Sequence, residues 1–191
     1  MLEKEIKILE IDVIEIQKKL ELAGAVKTFE GFIHDIYYDF QDSDTSDLKM
    51  ESKKRLFRVR QKGDIHMYTI KRKRNKKSEG GEKGMRICDE GEREITDVKS
   101  FKRVLKKYGM TETREKKKYR ICYELEGCQF DIDDYYLGDK KNIIPPLLEI
   151  EVTNSKMINY WINLFDLKNH KKKKWGSRKL FKYYGVEYSW L

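Results

Sequence analysis

The sequence predicts an α+β fold of about eight strands, mostly antiparallel, with helices between some of them. Three observations predict it. Short aromatic and β-branched runs recur along the 191 residues, the pattern of half-buried strands. Two of the junctions between such runs, "KGD" and "LEG", are tight hairpin signals. Seven of the strands carry charges at every second position, which places those charges on one face. Antiparallel sheets of this number close into barrels or sandwiches.

The elements follow in order. Residues 2 to 11 alternate as a strand. Residues 12 to 24 read as a helix, with Val13, Ile16, Leu20 and Ala23 at helical spacing, Asp12 as N-cap and Gly24 as stop. "FIHDIYYDF" (32 to 40) is a strand, and the polar stretch to residue 54 is a loop or short helix. "RLFRVRQ" and "IHMYTIKRKR" flank the first hairpin, and residues 75 to 84 form a loop by composition. "MRICDEGEREI" resumes the alternation. A second helix follows over "DVKSFKRVLKKYG", with Val98, Phe101, Val104 and Leu105 on one face and Gly109 at its end. "KKKYRICYE" and "CQFDIDDYY" form the second hairpin, and "LLEIEV" is a strand after Pro145 and Pro146. "NSKMINYWINLFDL" is a third helix capped by Asn154 or Ser155, and "WGSRKLFKYYG" a short last one before the tail. No linker or fixed-period repeat divides the chain, so residues 1–191 read as one domain.

Composition narrows the function. Charged residues make up 39% and hydrophobic ones only 39%, which suits a fold with a polar, functional interior. A net charge of +9 points to a polyanionic partner. Cys88, Cys122 and Cys128 are odd in number and lack CxxC spacing, which argues against a disulfide framework or zinc site and for a reducing cytoplasm. His34, His66 and His170 are scattered, without ligand spacing. No apolar run approaches the roughly 20 residues of a membrane span, and the charged N-terminus does not read as a signal peptide.

The alternating charges carry the chemistry. One face gathers Glu3, Glu5 and Lys7. Others gather Arg58 with Arg60, Thr69 with Lys71 and Lys73, and Glu90 with Glu92 and Glu94. The rest gather Arg114 with Lys116 and Lys118, Asp131 with Asp133, and Glu149 with Glu151. If the strands close into a barrel, these faces become its interior, a charged channel. The alternative is that they point to solvent over an ordinary apolar core. Buried charges must neutralise one another or bind ions. Glu3, Glu5, Glu149 and Glu151 suit a hard divalent cation, and the Arg and Lys set suits phosphate oxygens. A chain of phosphates with bound Mg2+ or Mn2+ matches both sets. No GxxxxGK[ST] loop is present, so side chains would grip a nucleotide.

These residues resemble a known family. Glu3-Lys4-Glu5-Ile6-Lys7 is similar to the ExExK signature of the CYTH superfamily, the triphosphate tunnel metalloenzymes. "IYYDF", Phe57 to Arg60, Thr69-Ile70-Lys71 and "EREI" resemble the family's YYD, LRIR, TxK and acidic middle strands. Arg114-x-Lys116-x-x-Tyr119 looks like its KxRxxY segment with the basic types exchanged. "FDID" and "LEIE" fit its last strands, and Ser177-Arg178-Lys179 its basic C-terminal segment.

The resemblance implies a closed eight-stranded antiparallel β-barrel, a tunnel with flanking helices, that binds a triphosphate with Mg2+ or Mn2+. It implies Glu3, Glu5, Glu149 and Glu151 as metal ligands. Lys7, Arg58, Arg60, Lys71, Lys73, Arg114, Lys116 and Arg178 or Lys179 would face phosphates, with Glu92, Glu94 and Asp133 as supporting acids. The first expectation is metal-dependent hydrolysis of tripolyphosphate, a nucleoside triphosphate or thiamine triphosphate. Lys7, its pKa lowered by basic neighbours, would orient or deprotonate water. Two alternatives stand beside it: a class IV adenylyl cyclase, and a non-catalytic binder of polyphosphate or RNA motivated by "NHKKKKW" and "KRKRNKK". A small-molecule triphosphate is the expected partner ahead of nucleic acid, with no membrane role, in a monomer or homodimer.

Overall fold

The computed structural model describes residues 2–40, 55–73, 86–137, 140 and 143–186. The expected loops at 41–54 and 75–84 lie outside the described residues. In chain order the elements are β1 (Leu2–Leu9), α1 (Val13–Leu22), β2 (Val26–Phe40), β3 (Arg55–Lys62) and β4 (Ile65–Lys73). Next come β5 (Arg86–Glu94), α2 (Val98–Lys107), β6 (Met110–Leu125), β7 (Cys128–Tyr136) and β8 (Leu147–Val152). The chain ends in α3 (Lys156–Leu164), β9 (Lys172–Lys173) and α4 (Ser177–Tyr183).

Local chemistry sets the boundaries. The Asp12 carboxylate accepts the Glu15 backbone N–H at 2.9 Å, and Asp97 does the same for Ser100 at 2.9 Å, so α1 and α2 each start on an aspartate cap. Past their C-termini, Gly24 and Gly109 take left-handed φ values of +85° and +79°. Glu126 and Gly127 both have positive φ, 50° and 69°, the turn that lets β6 and β7 twist together as a hairpin.

The strands form one antiparallel sheet in the order β5-β4-β3-β2-β6-β7-β8-β1-β9, and β1 additionally pairs β5 from Leu2↔Asp89 to Glu5↔Arg86. Among the described residues nine strands stand where about eight were expected. The ninth, Lys172–Lys173, sits within the lysine run of "NHKKKKW" and is held by backbone pairing to Lys7 and Ile8. β2 starts at Val26 rather than residue 32, because its first residues pair the far end of a longer β6.

The apolar core lies on one face of the sheet, under the helices. Ile6, Ile8, Phe130, Ile132, Leu148 and Ile150 pack against Ile16 and Leu20 of α1 and Ile158, Trp161 and Ile162 of α3. Around α2, Leu105 packs with Tyr38, Phe57, Val59 and Met110. A smaller cluster joins Leu9, Tyr135 and Leu147 to Leu180 and Phe181 of α4. Leu9 and Leu147 each lie two residues beyond a charged position, Lys7 and Glu149. The charged face therefore ends in an apolar floor that α4 seals.

Candidate active site

The residues that alternate with this core line one cavity of about 490 Å³. Among the described residues, thirteen cationic and five acidic side chains line it, so internal ion pairs among them leave positive charge over. Asp35, Asp131 and Asp133, fully buried just behind the lining, reduce that excess without removing it.

One end is acidic. β1 and β8 pair Glu5 with Glu151 and Lys7 with Glu149, which sets two rungs of charge side by side. One carboxylate oxygen from each of Glu5, Glu149 and Glu151 lies within 4.8 Å of the others. Three oxygen donors at that spacing fit a hard divalent cation, which prefers carboxylates over imidazole or thiolate. Glu149 is also held by Lys7 Nζ and, at 3.0 Å, by Arg120 Nη2. Burial would push the Glu149 carboxyl up, but Lys7, Arg120 and Lys118 outweigh it and hold it well below the carboxylate range.

The opposite wall is basic, and its hub is Asp35. Arg60 Nε donates to Asp35 Oδ1 at 2.6 Å and Arg60 Nη2 to Oδ2 at 3.1 Å, while Lys116 Nζ lies 3.0 Å and Arg58 Nη1 3.5 Å from Oδ2. Burial opposes the Asp35 charge, yet Arg60, Arg58 and Lys116 together keep its carboxyl well below its usual value. Arg58 also reaches Glu90 at 3.3 Å, Glu92 at 3.4 Å and the Thr69 hydroxyl at 3.1 Å. Lys71 pairs with Glu90. The Arg114 guanidinium stacks over the Tyr37 ring, 4.2 Å from its centroid. Burial raises the Tyr37 phenol, but Lys116 and Arg58 pull it below its ordinary value.

Of the residues predicted from sequence, Glu5, Lys7, Arg58, Arg60, Lys71, Lys73, Glu92, Arg114, Lys116, Glu149, Glu151, Arg178 and Lys179 all line this cavity. Arg178, Lys179 and Lys73 are exposed and stand at its mouth. The Glu3 side chain lies outside what is described; its backbone pairs with Cys88. Two predicted residues fall elsewhere. Glu94 is exposed and does not line the cavity. Asp133 is fully buried behind the wall, bound by Arg120 and Lys118. The described ionic partners of Lys7 are the carboxylates of Glu5 and Glu149.

Sequence reasoning missed Asp35, Arg120 and Trp175. Continuing the alternation would have found the first two. Asp35 stands two residues before Tyr37, and Arg120 extends the run Arg114, Lys116, Lys118. Trp175 lines the cavity beneath Lys173, whose ammonium sits 4.6 Å from the ring centroid; nothing in its local sequence marked it.

Fold and site define a class: an antiparallel sheet with helices on one face and, on the other, a cation-rich cavity ending in a carboxylate cluster. The chain belongs to the CYTH domain family, whose sequence profile matches residues 1–156. Its fold is shared by a conserved hypothetical protein of Pyrococcus furiosus at 20% identity, with a TM-score of 0.67 over 93% of this chain and 99% of the other. A candidate adenylate cyclase from Vibrio parahaemolyticus matches at 13% identity and TM-score 0.67, covering 95% and 98% of the two chains. The Hippeastrum protein HpAC1, an adenylyl cyclase candidate described with a dominant triphosphatase activity, matches at 13% and 0.62, covering 97% and 96%. No curated protein sequence matches the chain significantly. Among the described residues, no helix is long and apolar enough to cross a membrane.

Proposed function

We propose that the protein hydrolyses a triphosphate with the help of Mg2+ or Mn2+. One observation carries this reading: a wall of cations and a three-carboxylate cluster share one cavity. The pairing of β1 with β5 supports eight strands closing into a tunnel around that cavity. Residues 1–191 act as one unit in this reading, because Arg178 and Lys179, beyond the family match, line the same cavity as Glu5.

Glu5, Glu149 and Glu151, with Glu3 two residues before Glu5, would hold the metal, which when bound neutralises charge on phosphate oxygens. Arg58, Arg60, Lys71, Lys73, Arg114 and Lys116 grip the phosphate chain along the wall, and Arg178 or Lys179 engages it at the mouth. Arg58 and Arg60 are pre-oriented by Asp35, so little side-chain freedom is lost on binding. Lys7, an ammonium at the border of the two zones, orients the terminal group and its attacking water. Fully buried groups around it exclude bulk solvent, which strengthens each of these contacts.

The test is turnover of tripolyphosphate, ATP and thiamine triphosphate with each metal. Phosphate release is the expected product; cyclic AMP would select the cyclase reading, and no turnover a binding role. Glu5→Gln keeps size and removes one ligand charge. Loss of several kcal/mol of transition-state stabilisation predicts a fall in turnover on the order of a hundredfold or more. Full metal-dependent activity in that variant would remove Glu5 from the metal set.

A further inference from the structure

The carboxylate cluster already contacts a cation of its own. Lys7 Nζ binds Glu149 Oε1 and lies 3.5 Å from Glu5 Oε1. One ammonium thus contacts two of the three carboxylates that would ligate a metal. Glu149 Oε2 is taken as well, by Arg120 Nη2 at 3.0 Å. Glu5, Lys7, Arg120 and Glu149 are all buried, so water does not loosen these contacts.

The two cations differ in how they are held. Arg120 is anchored elsewhere: its Nε donates to Asp133 Oδ1 at 2.5 Å, its Nη2 to Asp133 Oδ2 at 2.7 Å, and its Nη1 to Asp131. It acts as a fixed strut that orients Glu149. Lys7 is a point charge on a flexible stem, and its ammonium can turn without breaking a bidentate fork. A divalent cation needs the same oxygens and repels an ammonium beside them.

We propose that Lys7 is a built-in stand-in for the metal. In the metal-free protein it neutralises the cluster; when an anion enters, Lys7 transfers to phosphate oxygens and releases Glu149 and Glu5. Metal and triphosphate then bind in a mutually reinforcing way, each lowering the cost for the other, as linkage requires. This deepens, and rests on, the metal reading of the cluster.

The test is calorimetric titration with Mn2+ alone, free of phosphate, on the full chain. Lys7→Met should tighten Mn2+ binding about tenfold or more, within the usual range of site coupling. Lys116→Met is the control, because the described acidic partner of Lys116 is Asp35. It removes the same charge from the same cavity and should tighten binding much less. Sulfate, a weak chelator, should tighten Mn2+ binding in the natural chain and not in Lys7→Met. Circular dichroism verifies folding, and Lys7→Gln repeats the measurement where Met does not fold.

Equal tightening by Lys7→Met and Lys116→Met, or none by Lys7→Met, overturns the proposal. So does an absence of any sulfate effect in the natural chain. Glu5→Gln separates the two levels. If it abolishes Mn2+ binding while Lys7→Met tightens nothing, the stand-in fails and the metal site survives. If it leaves Mn2+ binding unchanged, the metal reading and the stand-in fall together.

Discussion

Asp35 is fully buried and touches Arg58, Arg60 and Lys116 at once. Without its charge, three cations would face one another in a poorly solvated wall. Asp35→Asn keeps the shape and removes the anion. The expected cost is about 3–5 kcal/mol of stability, the penalty for uncompensated buried charge, read from urea unfolding. Lys118 makes a different case. Burial, aided by nearby Arg120, pushes its ammonium down to about 7, although Asp133 lies 2.9 Å away. Asp133 does not rescue it because Arg120 claims both Asp133 oxygens. The sign follows from linkage. The unfolded lysine keeps its proton up to about 10.4, so between about 7 and 10 the unfolded chain binds more protons than the folded one. This group therefore makes stability rise with pH across that window. Lys118→Met should flatten the rise, seen as the difference between the two proteins' unfolding midpoints from pH 7 to 10. An identical slope would mean that Lys118 stays charged in the fold.

At the scale of elements, helices and sheet meet through aromatic packing, and this is where stability is concentrated. Phe130 of β7 is fully buried, with its ring edge-on to Trp161 of α3 at 5.2 Å and to Phe165 at 5.6 Å. Phe130→Ala should cost about 3–5 kcal/mol by thermal unfolding, since the rigid sheet cannot collapse into the gap. The next residue, Asp131, faces the other way, toward Arg120, so one step along β7 separates core from site. That alternation is why so much was legible in the sequence: charges with period two on one face force their neighbours into the core. What stayed hidden has equally physical causes. The start of β2, Val26 to Glu30, is held by cross-strand pairing to β6 and has little burial pattern to read. β9 is two lysines fixed by backbone bonds to β1, invisible to any side-chain period. Asp35 was masked by the aromatic run around it. Glu94 followed the charge alternation of β5, but the strand carries it past the cavity into solvent, which periodicity alone does not register. The apolar floor of Leu9, Leu147 and Tyr135 lies on the charged face, so the alternation rule places it while only the packing of α4 explains it.

For the whole molecule, the distribution of charge decides what it binds. The chain carries +9 overall, and among the described residues thirteen cations against five acids line the cavity. Adding the three buried aspartates behind the wall still leaves cations in clear excess. These cations come from several elements around the cavity: Lys7 on β1, Arg58 on β3, Lys71 on β4, and the exposed Arg178 and Lys179 on α4. One phosphate reaches only one group of them and leaves the others repelling. A chain of three phosphates engages several groups, and each well-placed charge-assisted contact contributes roughly 1.5–3 kcal/mol. Affinity should therefore climb steeply from monophosphate to pyrophosphate to tripolyphosphate, by an order of magnitude or more per added phosphate at about 1.4 kcal/mol per tenfold. Arg58→Ala should flatten that climb, and Arg58→Lys should flatten it partly, because the charge remains while the fork is lost. Raising salt should weaken the mouth contacts of Arg178 and Lys179 more than the buried ones, because screening acts on exposed charge. Calorimetry with the three anions at two ionic strengths reads both effects. Equal affinities for all three lengths would show that the cations do not act along one line, and would leave the triphosphate reading without its electrostatic basis.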